Sequence, residues 1–189
     1  PLGTFFHRSL RNIKTLKYLI NKNITGTPIA ASSEVHWNRT KEYYDVSWRG
    51  TWEGEGGGVI LSHAIHSHDL LSFIFGDIKS VSANLATLVN NIETEDSASI
   101  TMTTESKALI SSSITLGAAN NTSRLKFIFS NVTAESGDNP YAPGEGKWIF
   151  TSRDPVKQNE LNEIINLYQK KITPDQDGFR SFFEEIANH

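Results

Sequence analysis

Apolar residues recur at helical spacing near the start of the chain and again before its middle. Between Phe5 and Asn23 they fall every three or four positions with basic residues between them: Leu10, Ile13, Leu16, Leu19 and Ile20. This pattern predicts an amphipathic helix that stops before Gly26 and Pro28. The stretch Gly58 to Phe75, closed by Gly76, predicts a second helix.

The rest of the chain consists mainly of short β-favouring runs bounded by turn residues. They are Pro28 to Trp37, Ser80 to Val89, Ala98 to Thr104, Ala108 to Leu116, Arg124 to Phe129, Val132 to Glu135 and Lys147 to Thr151. Successive strands without intervening helices are joined by hairpins, which favours a largely antiparallel sheet. Helices are predicted again at Pro155 to Lys171 and Asp177 to Ala187.

This order of elements predicts an α+β fold, a largely antiparallel open β-sheet with helices packed on one face. In Thr101 to Thr104 and Ser111 to Thr115, hydroxyl residues alternate with apolar ones. One sheet face should therefore be mildly polar, and it is solvated or pairs with a second copy of itself. A length of 189 residues suits one domain, which we assign to residues 5–189. Residues 1–4 are interpreted as a linker or a tag remnant.

Composition narrows the function. The net charge of −3 comes with no long basic run, so we expect no nucleic-acid partner, and no apolar run suits a membrane span. Without a secretion signal, a cytoplasmic location is expected. The absence of cysteine excludes disulfides and thiolate chemistry, and no G-x-G-x-x-G or P-loop opens a βαβ unit. Chemistry must rest on His, carboxylates, hydroxyls, Lys or a cofactor bound elsewhere.

The junction of a glycine-rich loop with a histidine-bearing helix is the chief candidate site. On a regular helix, Ser62, His66 and Asp69 lie along one stripe, and a carboxylate near an imidazole makes the ring a usable proton donor or acceptor. A buried histidine satisfied by its neighbours is an equal alternative. A zinc site at His63, His66 and Asp69 lacks the H-E-x-x-H order, and a Ser-His-Asp triad lacks a strained nucleophile turn. We predict no metal.

At this point the residues resemble a known family. Trp48-Arg49-Gly50-Thr51-Trp52, an acidic residue, Gly56-Gly57-Gly58 and a helix with H-x-x-D-L-L resemble the C-terminal domain of the Gfo/Idh/MocA oxidoreductases. Phe6-His7-Arg8 resembles the segment that leaves the family's nucleotide-binding domain, and Ile92 to Ala98 resembles its "EVEDTA" stretch. The resemblance covers about residues 5 to 130.

The resemblance implies the substrate-binding and oligomerisation domain of a dehydrogenase that acts on a sugar, cyclitol or related polyol. NAD or NADP would be bound mainly by a Rossmann domain absent from this chain, with Gly57 and Gly58 approaching the cofactor. A homo-oligomer would form through the open sheet face. The family's E-K-P lysine belongs to the Rossmann domain, so we expect this chain to be inactive alone.

Matched residue by residue, His66 falls on the family's catalytic histidine and Asp69 on the acidic position that follows. Ser62 falls on the catalytic aspartate, a departure that this chain shares with family members of the T-Q-A-I-H type. The resemblance therefore implies a proton relay resting on His66, with Ser62 and Asp69 on the substrate side. His63 and His68 are expected on the helix surface or in packing.

Four residues of the long loop from Asn38 to Glu55 are candidate sugar contacts, since aromatic rings and forked donors suit polyol faces: Arg39, Tyr43, Trp48 and Arg49. Ordinary packing of the rings and capping of a carboxylate by Arg49 remain the alternative. A non-catalytic binding or assembly module with the same fold also remains open. The serine at position 62 favours that module, while His66 and the glycine run favour the enzyme.

Overall fold

The computed structural model describes residues 6–172, so the predicted helix Asp177 to Ala187 lies outside the described residues. The α-helices are α1 (Arg11–Asn21), α2 (Trp52–Glu55), α3 (Ile65–Phe75) and α4 (Gln158–Gln169). The strands are β1 (Pro28–Asn38), β2 (Ile78–Ala86), β3 (Ser97–Thr104), β4 (Leu109–Thr115), β5 (Gly117–Phe129), β6 (Val132–Glu135) and β7 (Ile149–Ser152). Short 3₁₀ turns cover Phe6–Ser9, Lys41–Tyr44 and Pro155–Lys157.

The strands form one seven-stranded sheet in the order β2-β3-β4-β1-β5-β6-β7. All its pairings are antiparallel except that of β1 with β4, which are parallel with Ala30 opposite Leu109 and His36 opposite Thr115. The predicted α+β fold with a largely antiparallel sheet is confirmed. The prediction that successive strands are joined by hairpins is wrong for β4 and β5, because β1 lies between them in the sheet.

The helices pack on one face of this sheet. Leu16 and Leu19 of α1 and Leu70 and Leu71 of α3 are fully buried, in one core with Phe127 of β5. A smaller core beneath the start of the histidine helix includes Val35, Trp37, Val59, Ala64, Ile100 and Ile114. This second core positions the candidate site, because Trp37 lies one residue before the end of β1, next to the long loop, and Val59 lies at the start of the histidine helix.

The opposite sheet face is rich in hydroxyl groups and charges. One row across the strands consists of Ser82, Thr101, Ser111, Ser32, Lys126 and Glu135. Glu34 and Arg124 pair at 3.4 Å, and Lys126 and Glu135 pair at 3.1 Å. Their side chains are partly exposed, as the alternation in β3 and β4 predicts.

Candidate active site

A π-helical turn interrupts the histidine helix before α3. It spans Ile60–Ala64. A wider turn rotates the residues before it relative to those after it, so α-helical spacing rules do not apply across this segment. The predicted stripe from Ser62 to Asp69 crosses that turn. In the structure the Ser62 side chain interacts with Gly58 and His63 instead of His66. Its Oγ donates to the carbonyl of Gly58 at 2.8 Å and lies 2.6 Å from Nδ1 of His63.

Glu95 holds the start of the histidine helix from the loop after β2. Its carboxylate accepts hydrogen bonds from the backbone N–H groups of Gly58 at 3.0 Å and Ile60 at 3.2 Å. Its backbone carbonyl accepts from Val59 at 2.9 Å. An anionic acceptor at a helix N-terminus satisfies free N–H groups and meets the positive end of the helix dipole.

The glycine run is explained largely by this packing. A Cβ on Gly58 would lie 2.0 Å from the backbone oxygen of Glu95, so a side chain cannot fit there. Gly56 has φ +68°, a left-handed conformation that ends α2. Gly57 and Gly58 are both buried within this domain. The close approach that we expected at a cofactor is, for Gly58, an approach to Glu95.

His66 contacts a second imidazole. Its ring lies 4.9 Å from that of His7, centroid to centroid, at a tilt of 36°. Nδ1 of His66 is buried and has no hydrogen-bond partner among residues 6–172, and the same holds for Nδ1 of His7. Burial, together with the nearby His66, lowers the pKa of His7 to about 4. His7 is therefore neutral near pH 7, and its role beside His66 was not visible from the sequence.

Asp69 pairs with an arginine and does not orient His66 through Nδ1. Its carboxylate accepts from Nε of Arg8 at 2.9 Å and from Nη2 at 2.5 Å, a bidentate ion pair. The Asp69 side chain is only 9% exposed, so this pair ties the segment before α1 to α3. The expectation that Asp69 fixes the tautomer of His66 is corrected accordingly.

The other two histidines are both desolvated. His68 lies 3.0 Å from Oγ of Ser112, between helix and sheet, and burial lowers its pKa. His63 is 8% exposed, with its ring 5.0 Å from that of Trp37. Burial first, then the charges of Arg39, Arg49 and His66, lower the pKa of His63 to about 4. His63 is thus a packing residue that joins the helix to the loop.

The four loop candidates lie together beside His63. Arg49 stacks on Tyr43, its guanidinium carbon 4.1 Å from the ring centroid, and it lies 5.2 Å from Trp48. Arg39 lies 5.1 Å from the same tyrosine ring and 5.0 Å from Trp37. The ring of Tyr43 is thus shared by two cations and lies 6.1 Å from His63. Trp48 is 49% exposed.

Two cavities lie away from these residues. One of about 590 Å³ lies between α1, α4 and residues 144–148, and another of about 420 Å³ lies between α4 and the β5–β6 turn. Neither is lined by His66, Arg39 or Arg49.

The zinc alternative finds no support in the described part of the chain. No group of three or more His, Asp or Glu side chains there is arranged to hold a metal ion. Asp69, the third ligand that we considered, is occupied by Arg8. Over the same residues, no helix combines the length and the apolar character that a membrane crossing needs.

Comparison with known proteins now identifies the family. The family model for the GFO/IDH/MocA C-terminal domain matches residues 13–135. The chain belongs to this family. The resemblance in the glycine-rich junction and the histidine helix is therefore confirmed. A search of curated protein sequences gives no significant match.

Solved structures agree with this family. The chain is similar to the WlbA dehydrogenase from Bordetella pertussis in complex with NADH and UDP-GlcNAcA, with 26% identity and a TM-score of 0.70 over 94% of this chain and 57% of the other. The WlbA dehydrogenase from Chromobacterium violaceum, with the same ligands, gives 27% identity and a TM-score of 0.68 over 95% and 56%. Levoglucosan dehydrogenase, in complex with NADH and levoglucosan, shares the fold at 16% identity and a TM-score of 0.66 over 97% and 56%. The chain thus spans little more than half the length of these proteins.

Proposed function

We propose that this chain is the substrate-binding domain of an NAD(P)-dependent dehydrogenase that oxidises a secondary hydroxyl of a sugar or related polyol. One observation carries the proposal. His66 is half-buried, its Nδ1 is not bound by any residue from 6 to 172, and the family resemblance matches it to the family's catalytic histidine. The similarity to the WlbA dehydrogenases, whose structures hold NADH and UDP-GlcNAcA, supports the sugar class and the cofactor class.

In this mechanism His66 is the general base. It takes the proton of the hydroxyl whose carbon loses hydride, and it returns that proton in the reverse direction. A base at hydrogen-bond distance contributes about 10²- to 10⁴-fold to the rate. Ser62 replaces the family's aspartate, and a hydroxyl does not act as a base near neutral pH. Proton transfer therefore rests on His66 alone.

The residues around the helix start fit a nicotinamide ring presented by another domain. Leu61 and Trp52 are 50% and 57% exposed there, and a Cβ on Gly56 would meet no atom within 4 Å. Apolar surface next to open backbone suits a flat ring. A bound nicotinamide supplies the hydride acceptor. The predicted contact of Gly57 and Gly58 with the cofactor is supported only by the family resemblance.

The remaining parts of the proposal concern substrate and assembly. The stacked loop residues Arg39, Tyr43, Trp48 and Arg49 would contact the sugar. The hydroxyl-rich sheet face would pair with a second copy, since it carries charges of both signs that can pair across a twofold axis. The cytoplasmic location remains a prediction.

The test is a pair of variants in the full-length enzyme, assayed with NAD(P) and a panel of sugars and sugar nucleotides. His66→Ala should lower kcat by about 100-fold or more, because the base is lost. His68→Asn is the matched control on the same helix, and it should retain kcat within about threefold because the hydrogen-bond partner of His68 is Ser112 of the sheet. Wild-type turnover by His66→Ala would refute the catalytic role. A wild-type protein that binds these sugars without any turnover would instead favour the non-catalytic module.

A further inference from the structure

Two arginines of the long loop have no acidic partner in the described structure. The ion pairs within residues 6–172 join Arg8 to Asp69, Arg124 to Glu34 and Lys126 to Glu135. Arg39 and Arg49 are absent from this set. The Nε atom of each arginine is buried and donates no hydrogen bond to any of the same residues. Both side chains are only partly exposed, so solvent does not fully replace a partner.

Four carboxylates of the surrounding segments accept hydrogen bonds from groups other than these two arginines. Glu42 accepts from the hydroxyl of Thr40, Glu55 from the backbone N–H of Gly50, Glu93 from that of Trp52 and Glu95 from those of Gly58 and Ile60. Asp96 is fully buried in the β2–β3 loop. Asp45 and Glu53, the other two carboxylates of the loop, are exposed and form no ion pair with either arginine among residues 6–172. Neither guanidinium group is therefore paired with a carboxylate of the loop.

Both guanidinium groups are held in place by other contacts. Nη1 of Arg39 donates to the carbonyl of Asn38 at 2.8 Å and lies 3.5 Å from Oδ1 of Asn121. Nη1 of Arg49 donates to the carbonyl of Tyr43 at 3.4 Å. Tyr43 stacks against both groups, at 5.1 Å and 4.1 Å. Each fork thus keeps free donors while its plane is fixed, which is the arrangement that suits bidentate binding of a carboxylate or phosphate.

Both guanidinium groups lie close enough to a neighbouring histidine to affect its pKa. Arg39 and Arg49 both contribute, after burial, to the lowered pKa of His63. His63 is neutral near pH 7 and adds no third cation. Two like charges around one ring repel each other unless an anion lies between them.

We propose that Arg39 and Arg49 bind an anionic oxygen group of the substrate, a carboxylate or a phosphate, so that the enzyme takes acidic sugars rather than neutral polyols. The turnover of acidic sugars rests on the proposed function, whereas the binding of an anion by the two arginines does not. The site lies beside His63, at the π-helical turn that leads to His66. An anion held there fixes one end of the substrate while a hydroxyl reaches the base.

The experiment compares matched sugars in the full-length enzyme. The probes are glucose, glucuronate, UDP-glucose and UDP-glucuronate, with binding followed by isothermal titration calorimetry and turnover by NAD(P)H absorbance. Glucuronate against glucose tests the carboxylate, and UDP-glucose against glucose tests the phosphate. At least one anionic probe should bind about tenfold or more tightly than its neutral partner.

The variants Arg39→Gln and Arg49→Gln should each weaken binding of that anionic probe by about tenfold or more, and by clearly more than they weaken binding of glucose. Arg49→Lys keeps the positive charge without the two-donor guanidinium group. Its affinity for the anionic probe should lie between those of wild type and Arg49→Gln. Arg153→Gln, an exposed residue whose Nη1 lies 3.5 Å from the carbonyl of Ser130, is the matched control for loss of one positive charge. It should change neither affinity.

The outcomes separate the two proposals. Arginine-dependent anion binding without turnover would uphold the anion site and refute the dehydrogenase. Turnover of neutral and acidic sugars that responds equally to Arg49→Gln and Arg153→Gln would uphold the enzyme and overturn the anion site. Equal weakening of neutral and anionic probes by Arg49→Gln would also overturn it, because Arg49 would then contribute to binding without recognising the anionic group.

Discussion

Two charged regions flank the histidine helix, and they differ in what balances their charge. The acidic segment 93–96 places Glu93, Glu95 and Asp96 on backbone N–H groups of this same domain. The loop 38–49 places Arg39 and Arg49 on aromatic rings and carbonyls, with no carboxylate from residues 6–172. The paired carboxylates stabilise the fold, whereas the arginines without a carboxylate partner are where we propose that an anionic ligand binds.

Asp96 is the strongest case of internal balance. It is fully buried and accepts from the backbone N–H groups of Leu88, Val89 and Asn90 at 2.8 to 2.9 Å, and from the hydroxyl of Ser97 at 3.0 Å. Burial alone would raise its pKa, but these hydrogen bonds outweigh burial and lower it. The folded state therefore favours the carboxylate.

The largest effect should come from Asp96→Ala. We expect it to lower the free energy of unfolding by about 4 kcal/mol, since several buried N–H groups lose their acceptor at once. Urea unfolding of the chain at pH 7 measures the loss. Glu163→Ala on the exposed side of α4 is the control and should change stability by less than about 0.5 kcal/mol. A similar loss in both variants would contradict the structural role of Asp96.

The same variant has a pH signature. Because the pKa of Asp96 is lowered in the folded state, its stabilisation is present above the usual aspartate pKa of about 3.9 and is lost as the pH falls through the lower folded value. The difference between wild type and Asp96→Ala should shrink in acid.

The next effect concerns the glycine run, where two positions separate packing from conformation. Gly58→Ala forces a Cβ to within 2.0 Å of the backbone oxygen of Glu95 and should cost about 3 kcal/mol. Gly56→Ala meets open space but keeps φ at +68°, so it should cost only about 1 kcal/mol. Thermal unfolding of both variants measures the two losses of stability. If Gly58→Ala were as mild as Gly56→Ala, the close packing against Glu95 would be wrong.

The sequence predicts the elements better than it predicts their partners. Helical spacing locates α1 and alternation locates β3 and β4, because both patterns are local. The position of β1 between β4 and β5 depends on pairing between distant segments, which no local pattern records. β2 ends at Ala86, short of the predicted Val89, because Leu88 and Val89 donate instead to Asp96.

The candidate site shows the same limit. The motif match selects His66, and the composition of the loop selects Arg39 and Arg49. The contact of His66 with His7 and the pairing of Asp69 with Arg8 join the segment before α1 to α3, and spacing within one helix could not indicate either. The π-helical turn was also missed, since the stripe from Ser62 to Asp69 assumed a regular helix.

The smallest expected effect measures most directly the charge of the two arginines that have no carboxylate partner. His63 has its pKa lowered to about 4 by burial and then by Arg39, Arg49 and His66. Arg49→Gln removes one of these charges, so the pKa of His63 should rise while staying below its usual value of about 6.5 because burial remains. NMR titration of the histidine signals, assigned with His63→Asn, measures this change. His68 is the internal control, because only burial lowers its pKa and Arg49→Gln should leave it unchanged.

The sign of this titration also links the loop to stability. A histidine whose pKa is lowered in the folded state stabilises the fold fully above about pH 6.5, and this contribution is lost as the pH falls towards 4. Arg49→Gln should therefore lose less stability than wild type between those pH values, and bound glucuronate or UDP-glucose should raise the pKa of His63 in the wild-type protein. An equal shift at His68, or no shift at His63, would mean that the two arginines create no local positive field and that their charge is balanced by groups other than an anionic substrate.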